Sequence, residues 1–161
     1  MSVDDDKEWC LRQVREGNWG WFITLRFPRV VDPNFAGNRC NNPHDAFIQW
    51  RQEIEWDEGL AELDYVLVKE LRENGEWQWH VLLPDVSTSR RRYLRYVWRQ
   101  LSAGRTWERE IKPDVERLFH YFVYRRGLPI ECSVGGQFKE WLGREEEESW
   151  ERYRRYGRFH I

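Results

Sequence analysis

Hydrophobic positions along the chain change period several times, and each change marks an element. Asp4 to Glu16 has helix-forming composition and stops at Gly17; NWGWFITLRFP, 18–28, then carries the aromatic and β-branched residues of a strand ended by Pro28. VVDPNFAGNRCNNP, 30–43, is rich in Pro, Gly and Asn and predicts a loop. From His44 to Trp56 the apolar residues Phe47, Trp50 and Ile54 fall on one helical stripe.

DYVLVKELRENGEWQWHVLLP, 64–84, gives two strands around Asn74-Gly75, a strong hairpin signal. Ser87 to Leu101 predicts an amphipathic helix with Leu94, Val97, Trp98 and Leu101 inward and Gly104 just past its end. Pro113 to Arg126 predicts another, with proline first and Gly127 after the last residue. A short strand at Ile130 to Val134 and a charged C-terminal helix, about 137–157, complete the order. Helices and hairpin strands in this sequence predict an α+β fold, a central antiparallel sheet with helices packed on its faces.

Two registers are open to the hairpin. A two-residue turn sets Gln78 opposite Leu71, whereas a three-residue loop, Glu73-Asn74-Gly75, sets it opposite Glu70. The second is preferred, because it gives the glycine the position that needs positive φ. It leaves Trp77, Trp79, Val81 and Leu83 on one face and gathers Glu70, Gln78 and His80 on the other. A carboxylate, a carboxamide and an imidazole on one face suit Mg²⁺ or Mn²⁺ with coordination positions left open. The alternative is two solvent-side residues and a hydrogen-bonded core histidine.

In KPDVERLFHYFVYRRG, 112–127, a turn of about 100° per residue makes Val115, Leu118, Phe119, Phe122 and Val123 the buried arc. Tyr121 falls at the arc's edge with Arg125 on its side, and Tyr124 faces solvent. An arginine there could hold a phosphate or ease ionisation of the phenol. A boundary tyrosine that packs its ring and exposes its hydroxyl is the alternative.

Composition narrows the class. A chain of 161 residues, 40% hydrophobic and 16% aromatic, forms one core, so one domain is expected over 1–161. No long apolar run and no basic leader occur, which predicts a cytoplasmic protein away from membranes. Cys10, Cys40 and Cys132, widely spaced and without metal-ligand spacing, are expected to be reduced. The net charge of −2 argues against binding nucleic acid by bulk attraction. Yet 22 of the 26 basic residues are arginine, and Val86 to Arg105 holds six of them without an acid. Arg91, Arg95 and Arg99 make one stripe, either a DNA contact or a solvated helix face.

The order of these parts resembles the HUH endonuclease superfamily, in particular the Rep-type initiators of rolling-circle replication. Phe22-Ile23-Thr24-Leu25-Arg26-Phe27 matches its FxTLTF-like first motif. Gly75 to Leu83 matches its histidine-hydrophobic-histidine motif with Gln78 in place of the first histidine. Tyr121 to Tyr124 matches its YxxK-like helix, with Tyr124 at the lysine position and Arg125 and Arg126 following. The resemblance covers about 19–134 and implies an HUH, ferredoxin-like palm.

It further implies a nickase and strand transferase acting on single-stranded origin or hairpin DNA. Glu70, Gln78 and His80 would hold Mn²⁺ or Mg²⁺, Tyr121 would form a 5′-phosphotyrosine, Arg125 would assist it, and Arg91, Arg95, Arg99 and Arg126 would contact DNA. A helicase of the host or plasmid is the implied partner, since the chain has no room for one. The alternatives are an HUH-fold module that binds DNA without cutting it, and a small HUH transposase.

Overall fold

A computed structural model of the protein describes residues 3–144. Helix α1 spans Val3–Glu16, strand β1 Trp21–Phe27 and helix α2 Pro43–Glu58; strands β2, Tyr65–Leu71, and β3, Trp77–Leu83, form the hairpin. Helix α3 covers Thr88–Ser102, strand β4 Thr106–Arg109 and helix α4 Val115–His120, which widens into a π turn at Tyr121–Arg125 before strands β5, Ile130–Val134, and β6, Gln137–Trp141.

The six strands form one antiparallel sheet in the order β4-β1-β3-β2-β5-β6. Helix α2 connects β1 to β2 and α3 connects β3 to β4, each crossing a strand inserted between its ends. That is the split βαβ arrangement of ferredoxin-like sheets. The β5–β6 hairpin extends the sheet beyond β2.

Both faces of the sheet are covered, which explains why β1, β2 and β3 are apolar at nearly every position. On one face α2 and α3 press Phe47, Trp50, Ile54, Leu94 and Trp98 against Trp21, Trp79, Val81 and Leu83. Trp50 packs between Trp21, tilted at 46°, and Trp98, edge-on at 78°, with ring distances of 5.9 and 6.0 Å, and donates its indole N–H to the Leu94 carbonyl at 2.8 Å. On the other face α1 and α4 bury Cys10, Leu11, Phe119, Phe122 and Val123 against Phe22, Val66 and Leu82. Cys10, Cys40 and Cys132 form no disulfide.

The hairpin has the three-residue loop. Glu70 pairs with Gln78, Arg72 N–H bonds the Glu76 carbonyl, and Gly75 takes the left-handed conformation at φ 83°. Gly104 serves a different end from the helix cap expected of it. Ala103 is the left-handed residue after α3, while a Cβ on Gly104 would stand 1.8 Å from the Arg26 carbonyl oxygen. It lets the start of β4 close on β1.

Strand β4 occupies a segment with no predicted element, and three further expectations are corrected. Gln137–Trp141 is a strand rather than the start of the predicted C-terminal helix, because the Gly135-Gly136 turn folds it back on β5; the remainder of that helix, from 145, lies outside the described residues. The helix predicted from Pro113 begins at Val115. It does not run as one α-helix to Arg126, because Arg126 N–H bonds the carbonyl five residues back, at Tyr121, which closes a π turn. Among the described residues no helix is long and apolar enough to cross a membrane.

Candidate active site

Register puts the predicted ligands together. β3 pairs with β1 so that Thr24 lies beside His80, and with β2 so that Gln78 lies beside Glu70. All four belong to the face covered by α1 and α4, away from the tryptophan-rich layer.

There Thr24, His80 and Glu70, with Arg126 after the π turn, form a hydrogen-bonded chain across three strands. The His80 Nδ1 is 3.0 Å from the Thr24 hydroxyl, its Nε2 is 2.9 Å from Glu70 Oε1, and Arg126 donates to Glu70 Oε2 at 2.6 Å. His80 and Glu70 are each 2% exposed, and the Phe122 ring stacks on the imidazole at 4.7 Å and 14°.

Charge is set by that enclosure. The hydrogen bond from His80, opposed by burial and supported by the Arg126 guanidinium, holds the Glu70 carboxyl down at about 2. Burial depresses the His80 imidazole against the pull of Glu70, which favours the neutral ring. A neutral His80 between these partners donates Nε2–H to Glu70 and accepts the Thr24 hydroxyl proton at Nδ1.

Glu70 and His80 are the side chains that could hold a divalent cation. Mg²⁺ holds its ligands at about 2.1 Å in an octahedron, so neighbouring ligand atoms stand about 3 Å apart. Nε2 and Oε1, 2.9 Å apart, already have that spacing. Thr24 can serve the metal-bound tautomer too, because its hydroxyl accepts as readily as it donates. Among the described residues no three His, Cys, Asp or Glu side chains cluster as a ready metal site, and the half-buried Gln78 carboxamide is a further oxygen donor on this face.

The π turn redistributes the basic residues. Its wider turn sets Arg126 one turn beyond Tyr121 and over Glu70, the position expected for Arg125. Arg126 bonds Glu70 while its side chain stays 38% exposed, and Arg125 is exposed with no hydrogen bond or ion pair among the described residues.

The two tyrosines also separate. Tyr124 does not face solvent freely: its hydroxyl donates to Glu8 of α1, and its ring lies between Lys7 at 4.6 Å and His120 at 5.3 Å. Tyr121 is 51% exposed with its hydroxyl unbonded among the described residues, and it lines a cleft of about 620 Å³ with Phe22, Arg109 and Leu118.

The arginine stripe on α3 divides as well. Arg91 is committed to structure, donating to the Val86 and Gly20 carbonyls and to Asp85. Arg95 pairs with Glu108 at 2.9 Å, and Arg99 remains exposed beside Tyr96 and Arg105 in a cleft of about 360 Å³. Sequence reasoning missed Thr24 as the partner of His80, Arg109 beside Tyr121, and Trp107. The alternation of Trp107 and Arg109 in TWER is their one sequence signal, too short to read alone.

Set against family models, curated proteins and solved structures, the chain matches none.

Proposed function

We propose that the chain nicks and rejoins single-stranded DNA, as the rolling-circle initiators it resembles do. The observation that carries this reading is an exposed, unbonded tyrosine, Tyr121, next to the residue whose ring roofs a buried carboxylate–imidazole pair. Glu70, His80 and Gln78 would hold one Mn²⁺ or Mg²⁺. Bound there, the ion would supply Lewis-acid polarisation of the scissile phosphate.

The chain's own residues supply the rest. Arg109, at the mouth of the Tyr121 cleft, draws a phosphodiester toward the phenol. The Tyr121 oxygen gives up its proton and attacks phosphorus, the bond from phosphorus to the 3′-oxygen breaks, and that oxygen takes a proton. The product is a 5′-phosphotyrosine and a free 3′-OH. Attack by a 3′-OH reverses the step and releases the tyrosine, so no ATP is consumed. A helicase of the host or plasmid is the partner this reading requires, and the cytoplasm its setting.

A second reading rests on the completeness of the chain from Thr24 to Arg126, in which both ring nitrogens and both carboxylate oxygens already have partners. That favours a module that binds an origin or hairpin without cutting it. Incubation with Mn²⁺ and a labelled pool of randomised single-stranded DNA separates the two. Nicking gives a protein–DNA adduct that survives a denaturing gel, is lost in Tyr121→Phe and persists in Tyr124→Phe. DNA retention with no adduct in any variant transfers the conclusion to the binding module.

A further inference from the structure

Nearly every described tryptophan has a structural occupation. Trp21, Trp50, Trp77, Trp79 and Trp98 are in ring contacts, Trp9 and Trp141 lie under lysines, and the Trp19 N–H bonds the Gln13 carbonyl. Among the described residues Trp56 and Trp107 alone have no such contact. A single exposed indole is ordinary. What separates these two is their setting: Trp56 sits among Glu55, Asp57 and Glu58, which repel phosphate, whereas Trp107 sits on the edge strand between Arg105 and Arg109.

Trp107 is 61% exposed and lies beside Thr24, as Arg109 lies beside Phe22, so both project from the sheet face that carries His80. Side chains two residues apart on a strand are about 7 Å apart, within the reach of one extended nucleotide. Arg109 lines the Tyr121 cleft together with Arg117, Lys112 and the acids Glu110 and Asp114, and Arg105 lines the cleft beside Arg99 and Tyr96 of α3. The acid between Arg105 and Arg109, Glu108, is neutralised by Arg95.

We infer that β4 is a track for single-stranded DNA, on which one base stacks over Trp107 while the flanking phosphates lie on Arg105 and Arg109, leading the strand to Tyr121. This deepens, and rests on, the reading of that sheet face as a DNA site. Stacking on an exposed indole tolerates any base, and the arginines take backbone rather than base edges, so the track binds without sequence preference.

The test is fluorescence anisotropy of a labelled oligothymidine against wild type, Trp107→Ala, Trp107→Phe, Trp56→Ala and Arg109→Gln, with thermal melting of each variant. Trp107→Ala weakens binding about ten-fold, Trp107→Phe recovers most of it, and Trp56→Ala binds as wild type. Arg109→Gln lowers the slope of log affinity against log salt by about one. Equal binding by wild type and Trp107→Ala overturns the track, while an adduct at Tyr121 would still stand. Loss specific to Trp107→Ala, with no adduct under any condition, keeps the track and removes the cleavage reading. Failure of the wild type to bind the strand overturns both.

Discussion

The two faces of the sheet are built from the same strands and do different work. The face under α2 and α3 is mainly aromatic and aliphatic, with Trp50 at its centre, and its polar groups, Tyr65, Glu131 and Lys69, bond one another toward the β5 side. The face under α1 and α4 buries a similar apolar layer but admits Thr24, His80, Glu70 and the head of Arg126. The ion pair in this chain joins a buried Glu70 to a 38% exposed Arg126, and such a half-exposed pair is a weak source of stability. The contrast therefore lies in what the polar groups do: on one face they sit beside an intact aromatic centre, and on the other a histidine and a carboxylate replace part of that centre.

The largest test of that division is Trp50→Ala. Removing a fully enclosed indole and its hydrogen bond costs about 3–5 kcal/mol, read as a fall in the denaturation midpoint. Mn²⁺ affinity of the folded fraction should not change. A loss of Mn²⁺ binding in that fraction would mean that the two faces are coupled rather than divided.

Thr24→Val comes next. It keeps the shape but removes the hydroxyl from His80, leaving a buried ring nitrogen without a partner at a cost of about 1–3 kcal/mol. Unlike the tryptophan change, it should weaken Mn²⁺ binding as well, because the ring then loses the group that fixes its tautomer. An isothermal titration unaffected by this change would leave Thr24 a structural residue only.

How much of this could be read from the sequence follows the same division. The hairpin register was legible because one glycine, Gly75, has to sit where φ is positive, and from that the sharing of a face by Glu70, Gln78 and His80 followed. The partner of His80 was not, since Thr24 is 56 residues away and only the β1–β3 register brings it in. Strand β4 is four residues long and mostly exposed, so it has no apolar period to detect. The segment after Gly136 has helical composition, and its pairing with β5 overrides that propensity. The π turn has no residue signature, yet it is Arg126 rather than Arg125 that it brings to Glu70. Arg91 looked like part of a surface stripe until the Gly20 and Val86 carbonyls claimed it.

The smallest change in stability should come from the most discriminating substitution, Gln78→Ala. Gln78 is half-buried at the open end of the polar face, opposite Arg26 and Glu70, and its carboxamide has no hydrogen bond among the described residues. Truncating such a side chain shifts stability by no more than about 0.5 kcal/mol. If the carboxamide oxygen is the third ligand, the same truncation weakens Mn²⁺ binding by at least about ten-fold, since even indirect partners of a metal site are worth that much. Gln78→His should then tighten Mn²⁺ relative to Mg²⁺, because imidazole suits the transition metal better than the harder ion. An unchanged Mn²⁺ titration in Gln78→Ala would remove Gln78 from the ligand set, whereas no Mn²⁺ binding by the wild type would show that Glu70 and His80 hold each other rather than a cation.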